Sequence, residues 1–312
     1  MPKGALLFQP IGYPHELWTP HLRRLLPDLD IRTEGNPPYT DDILYCIAWK
    51  PKPGSLSALK NLQVVFSMGA GVDAIVADPT YPRHVPLSRV VDNTLSQAMT
   101  EFVVLQVLYW HRRMHDFSSL QKLKKWRQIV SPRAEHMRVG ILGFGVLGQA
   151  AAIPLNVLNY KVSGWSATPK HVQGVATYHG TDQLGAFLSQ TDILVCLLPL
   201  TPTTRGILSR STFSALPKGA SIINCARGGH VVESDLIGAL DSGHLRGATL
   251  DVFATEPLPD TNPLWNHPNV VVTPHSAAAT DPKAFMSHVA ATITRVDQGL
   301  PPENLVDFSR GY

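Results

Sequence analysis

Three ionisable residues stand just past apolar runs in the second half of the chain. Arg227 follows Ile222-Ile223-Asn224-Cys225-Ala226, Glu256 comes shortly after Asp251-Val252-Phe253, and His275 follows Val272-Thr273-Pro274. A guanidinium binds a carboxylate through two parallel N–H donors and keeps its charge. An imidazole moves a proton near neutral pH, and a carboxylate beside it favours the protonated ring. Singly, each has a bland reading as a turn histidine, a sheet-end arginine or a solvated carboxylate. Together they can grip a small anionic carbonyl compound and protonate its oxygen.

A second stretch supplies a partner for that chemistry. The apolar run Arg138-Val139-Gly140-Ile141-Leu142 breaks at Gly143-Phe144-Gly145-Val146-Leu147-Gly148 and reopens as a helix. In such a GxGxxG turn the first glycine permits the tight bend, the second lets backbone N–H groups approach a pyrophosphate, and the third lets helix and strand pack closely. Residues 160–165 read as the next strand, completing a βαβ unit with the anion at the helix N-terminus. A rival turn, Gly69-Ala70-Gly71-Val72-Asp73-Ala74, is cut by Pro79 and Pro82 before a crossover helix can form, and reads as a loop offering N–H groups to a small anion. A dinucleotide beside a guanidinium, a carboxylate and an imidazole suits hydride transfer to a 2-oxo acid.

The expected cofactor is NADP(H), with NAD(H) as the alternative. NAD sites place an acidic residue about 20 residues past the turn. Here Trp165-Ser166-Ala167-Thr168-Pro169-Lys170 has none, and Ser166, Thr168 and Lys170 suit a 2′-phosphate.

Strands must carry these residues, and the chain has them. Residues 5–9, 29–34, 43–49 and 63–67 alternate with helical patterns, which predicts a parallel sheet. A long helix is expected from Thr94 to about His115. Near-continuous apolar runs at 192–198, 220–224, 247–250 and 269–273 read as strands buried on both faces, with helices at 182–189 and 233–241 between them and a last helix at 282–296. The expectation is α/β, with two doubly wound parallel-sheet domains, the second of them the dinucleotide-binding one; a closing segment that returned to the first domain would make that domain discontinuous.

With 44% hydrophobic residues and a net charge of +3, the chain lacks the basic stripe that nucleic acid would require. The basic run Lys122-Leu123-Lys124-Lys125-Trp126-Arg127 reads as helix-end charge on a solvated face. The start has too short an apolar run for a signal peptide, and no stretch reads as a membrane span. Cys46, Cys196 and Cys225 lack metal or disulfide spacing and read as buried thiols in a reducing, cytoplasmic compartment; no metal is expected.

Asn224-Cys225-Ala226-Arg227-Gly228, Leu198-Pro199-Leu200-Thr201-Pro202, Asp251-Val252-Phe253-Ala254-Thr255-Glu256-Pro257 and Thr273-Pro274-His275 resemble the signatures of the D-isomer-specific 2-hydroxyacid dehydrogenases. Within that family Ala48-Trp49, Trp110-His111-Arg112-Arg113 and Leu264-Trp265-Asn266-His267-Pro268 look like the branch that reduces glyoxylate and hydroxypyruvate. The resemblance implies that Arg227 binds the 2-oxo acid, that Glu256 pairs with His275, and that His275 is the general acid. It implies that Gly143, Phe144, Gly145, Val146, Leu147, Gly148, Trp165, Ser166, Thr168, Lys170, Leu198, Pro199, Ala226, Asp251 and His275 line the cofactor, with Asp251 and the Ala226 region orienting the nicotinamide carboxamide. It further implies a Rossmann-type cofactor domain over 95–283 and a smaller flavodoxin-like substrate domain built from both chain ends, 1–94 and 284–312, that Met68, Gly69, Ala70 and Gly71, with Trp49, meet the substrate, and that the protein is a homodimer. Ala167 stands where the related reductases carry Arg. A bulkier substrate such as phenylpyruvate, or a non-catalytic dinucleotide-sensing scaffold, are the competing readings; the scaffold lacks the appended segments it would use.

Overall fold

The computed structural model describes residues 4–10, 12–33 and 41–312. Met1, Pro2 and Lys3, Glu34 at the end of an expected strand, and the Pro37-Pro38 connection lie outside the described residues. The chain divides into two compact units, Met1–Leu95 with Thr280–Tyr312, and Ser96–Ala279.

The first unit opens with β1 (Ala5–Pro10), α1 (His15–Leu25), β2 (Asp30–Thr33), β3 (Ile43–Trp49), β4 (Val64–Ser67), a one-turn α2 (Asp73–Val76) and β5 (Leu87–Arg89). Its five strands lie in the order β2-β1-β3-β4-β5, and every pairing is parallel. All six residues of β1 are buried, as a strand covered on both faces requires. Leu7, Ile43, Cys46, Val65, Ile75 and Leu87 belong to one apolar cluster.

The next helix, α3 (Asn93–His111), carries the chain into the second unit and stops earlier than its apolar pattern predicts. The Trp110 carbonyl accepts from Arg246 Nη2 at 2.9 Å and from Arg113 N at 3.3 Å in a tightened last turn, not from the residue four further on, and Arg113 turns left-handed at φ 63°. A separate helix, α4 (Met114–Lys122), follows, and Lys122 and residues 123–127 beyond it are exposed.

The second unit then builds β6 (Arg138–Leu142), α5 (Val146–Val157), β7 (Lys161–Ser166), β8 (Ala176–His179), α6 (Leu184–Ser189), β9 (Ile193–Cys196), α7 (Arg210–Ala215), β10 (Ala220–Asn224), α8 (Glu233–Asp241), β11 (Leu245–Leu250) and β12 (Val270–Val272). Its seven parallel strands run β12-β11-β10-β9-β6-β7-β8, with an apolar cluster on each face. The order turns back on itself at β6 and β9, and ligands of open α/β sheets bind beyond the strand ends at such a point. The expectation that β12 is buried on both faces does not hold: it is an edge strand and half-buried throughout. The short edge strand β8 and the six-residue α7 carry no strong sequence pattern.

The chain returns to the first unit with α9 (Pro282–Asp297), whose start is capped by the Asp281 carboxylate accepting from Ala284 N at 2.7 Å. There α9 packs on α1, with Phe285 edge-on to Trp18 at 6.0 Å.

Candidate active site

The glycine turn is built as its sequence requires. Gly143 leaves β6 with φ 108°, and a Cβ there would stand 2.6 Å from the Leu197 carbonyl carbon. Its N–H and that of Phe144 both donate to the Trp165 carbonyl at 3.0 Å, tying the turn to β7. Gly148 backs onto the Gly143 oxygen, 2.4 Å from where its Cβ would be, so only glycine lets α5 approach β6 this closely. At Gly145 a Cβ would meet nothing within 4 Å, and no side chain caps the helix it starts. Open space in front of a helix N-terminus is what a pyrophosphate needs.

Several residues of the expected cofactor surround contribute backbone rather than side chain. Phe144 and Trp165 are core residues, the former packed under Gly164 and the latter donating to the Gly180 carbonyl at 2.9 Å. Leu198 and Ala226 are buried, Pro199 is half-buried, and Val146 is exposed. At the end of β7 there is no carboxylate. Thr168 and Lys170 are exposed there, and Ser166 Oγ closes the loop by donating to the Thr168 carbonyl at 2.8 Å.

Arg227, Glu256 and His275 follow β10, β11 and β12, three neighbouring strands of one sheet. His275 Nδ1 lies 2.9 Å from Glu256 Oε2, and both side chains are partly exposed. The other carboxylate oxygen, Oε1, accepts from Phe253 N at 3.1 Å, which fixes the carboxylate plane. Arg227 is half-buried at the end of a loop that Asn224 organises: Asn224 Nδ2 donates to the Arg227 carbonyl at 3.0 Å, and its Oδ1 accepts from Ala226 N at 3.2 Å. The buried His230 adds a contact to that carbonyl at 3.0 Å through Nδ1. Gly228 then lies so close to the Phe253–Ala254 backbone that a Cβ would stand 1.8 Å from the Phe253 carbonyl carbon. The arginine loop and the glutamate loop are thus laid against each other.

Asp251, which the resemblance assigns to the nicotinamide carboxamide, has its carboxylate engaged within the chain. The residue is 1% exposed, and its carboxylate accepts from Thr273 Oγ1 at 2.6 Å, Ser276 N at 2.9 Å and Ala277 N at 3.0 Å. Its own carbonyl accepts from His275 N at 2.8 Å, and His275 sits at φ 53°, in the left-handed region. A non-glycine residue held there needs surroundings that over-determine it, and Asp251 supplies them. Asp251, Asn224, Gly228 and His230 support the ionisable set without being identifiable from spacing alone.

In the first unit, Trp49 lies over Gly69, where a Cβ would come 2.3 Å from its ring. Met68 is buried, Ala70 and Gly71 are half-buried, and Thr280 Oγ1 donates to the Met68 carbonyl at 2.7 Å. In the second, Trp265 is half-exposed and donates to the Pro259 carbonyl at 3.1 Å. The three cysteines are buried, and burial pushes Cys196 up to about 12 and raises Cys225 as well, so neither is a nucleophile. Among the described residues no cluster suits a metal ion, and no helix is long and apolar enough to cross a membrane.

Residues 104–277 match the sequence model of the D-isomer specific 2-hydroxyacid dehydrogenase NAD binding domain. The chain is 41% identical over 304 residues to glyoxylate/hydroxypyruvate reductase A of Serratia proteamaculans, covering 95% of this chain and 96% of the relative. A D-isomer specific 2-hydroxyacid dehydrogenase of Xanthobacter autotrophicus Py2, solved with NADPH and MES, superposes with a TM-score of 0.94 at 41% identity, covering 99% of this chain and 100% of that one. The NADPH-dependent glyoxylate/hydroxypyruvate reductase of Sinorhizobium meliloti, solved with NADP and sulfate, gives 0.93 at 41% identity with the same coverage.

Proposed function

The chain belongs to the D-isomer-specific 2-hydroxyacid dehydrogenase family, and from that premise we propose that it is an NADPH-dependent reductase of small 2-oxo acids, converting glyoxylate to glycolate and hydroxypyruvate to D-glycerate. The observation that carries the reading is the 2.9 Å contact of His275 with Glu256, one strand over from Arg227 in the sheet that bears the glycine turn.

The residues present fit the cofactor. The backbone of residues 143–147 would hold the pyrophosphate, and Thr168 and Lys170, with no acid at the end of β7, would hold the 2′-phosphate. When bound, the nicotinamide supplies the hydride. Arg227 is assigned the substrate carboxylate, through its planar fork. The 68–71 loop is assigned anion binding through its backbone N–H groups. With Nδ1–H directed at the Glu256 carboxylate, the proton that moves is the one on Nε2 of His275, delivered to the substrate oxygen as it becomes an alkoxide. The ring, left neutral, recovers a proton from solvent.

The test is loss of NADPH absorbance with glyoxylate, hydroxypyruvate and phenylpyruvate, repeated with NADH. Turnover fastest with the two small acids and NADPH is the expected result; silence with every 2-oxo acid would overturn the reading.

A homodimer and a cytoplasmic location are part of the same proposal. The segment after α4 carries Leu123, Trp126 and Val130 exposed to solvent, an arm that a second copy would cover. Sedimentation of the wild type against Trp126→Ala tests the dimer, and cell fractionation tests the location.

A further inference from the structure

The edge of the seven-stranded sheet opposite the glycine turn holds a cavity of about 350 Å³. Its wall is made where β6, β9, β10 and β11 begin, from Arg138, Asp192, Lys218 and Arg246 among others. Strands of four to six residues at about 3.3 Å per residue place it roughly 15 Å from the strand ends that carry Gly143, Arg227 and Asp251. It is therefore separate from the site described above.

Its charges do not balance. Arg138 clamps Asp192 through Nε at 2.9 Å and Nη2 at 2.5 Å, which matches one cation with one carboxylate. Asp116 is shared by Arg113 at 2.7 Å and Arg246 at 3.0 Å, and Lys218 is exposed at the rim. Four cations, Arg113, Arg138, Lys218 and Arg246, stand here against two carboxylates, Asp116 and Asp192, while Glu135, next in the chain to the lining His136, pairs with Arg133 and His136. Arg246 Nη2 is spent on Asp116 and the Trp110 carbonyl, while Nη1 of the same partly exposed guanidinium has no acceptor among the described residues. Burial first, and then the Arg113 charge, lower its pKa. A partly exposed guanidinium with a donor left over, lining a cavity with surplus positive charge, is the complement of an oxyanion.

We infer that this cavity is a second ligand site, taking the phosphate or carboxylate group of a small metabolite between Arg246 and Lys218. The test is titration of the NADP⁺-loaded protein with inorganic phosphate and, separately, with succinate, at fixed ionic strength, by calorimetry. The expected result is one saturable site that is lost in Lys218→Ala and in Arg246→Gln, with the stronger of the two probes telling phosphate from carboxylate. Lys218 is exposed, so its variant stays informative should Arg246→Gln fail to fold. An anion held at Arg227 survives Lys218→Ala. Binding of both probes left unchanged by Lys218→Ala, or binding that never saturates and so marks an adventitious ion only, overturns the inference.

Discussion

His275 Nδ1 and Glu256 Oε2 meet at 2.9 Å although their residues follow different strands, and the Phe253 N–H holds the far oxygen of the same carboxylate. Glu256→Gln keeps the shape and removes the charge. The expected outcome is a kcat for reduction lower by roughly tenfold to a hundredfold, with the KM for the 2-oxo acid little changed. His275→Ala is expected to lose about 10²–10⁴-fold in kcat, the range of a lost general acid. Steady-state kinetics decide both, and an active His275→Ala enzyme would remove the imidazole from the mechanism.

Arg227→Lys keeps the charge and loses the fork. A charged hydrogen bond contributes about 1.5–3 kcal/mol, so kcat/KM should fall about tenfold to a hundredfold, through a higher KM and a lower kcat together. The melting temperature is expected to stay near that of the wild type. A change confined to stability would mean that the guanidinium only braces its loop.

Asp251→Ala strips the acceptor from Thr273 Oγ1, Ser276 N and Ala277 N at once. Buried donors left unsatisfied cost about 1–3 kcal/mol each at most, and the left-handed turn at His275 loses its template. We expect a clear drop in melting temperature and in kcat. Asp251→Asn, which keeps an oxygen acceptor, should fall between it and the wild type in both readouts.

Two glycines of the same turn should behave in opposite ways. Gly143→Ala forces a Cβ into the Leu197 backbone at a left-handed φ, so folding itself should suffer. Gly145→Ala meets nothing within 4 Å, so its melting temperature should hold while NADP(H) affinity falls. Thermal unfolding without ligand, set beside a cofactor titration, separates the two.

His288, in the first unit, contacts Ser88 Oγ through Nε2 at 3.0 Å and stands edge-on to Phe66. Burial lowers its pKa from the ordinary 6.5, outweighing the opposing pull of Glu303 and Asp92. Above 6.5 the ring is neutral in both folded and unfolded chains and adds no pH dependence. Below it the unfolded chain takes up a proton that the folded one resists, so stability falls as pH drops. His288→Asn should flatten the decline in melting temperature between neutral pH and about 5; an unchanged slope would assign that decline to other groups.

What the sequence made legible was local or periodic. The strands at 43–49 and 220–224, the helix at 233–241 and the glycine turn are all set by short-range patterning, and each lies where its residues place it. Arg227, Glu256 and His275 stood out because each follows an apolar run. The break in α3 was not legible, since it depends on Arg246, remote in the chain, taking the Trp110 carbonyl. The half-exposed β8 had too little apolar alternation to be noticed. Asp251 is marked in the sequence by the family signature alone; that it braces the turn at His275 depends on three donors more than twenty residues further on.

The backbone of Phe253 occupies the volume where residue 228 would carry a side chain. If Arg227 holds the substrate's acid group and His275 delivers the proton, as proposed, the two tasks are not separate adjustments, because the loops that carry Arg227 and Glu256 are packed with no room between them. Any change in the range of acids accepted has to be made in the walls around those loops, not by shifting either of them.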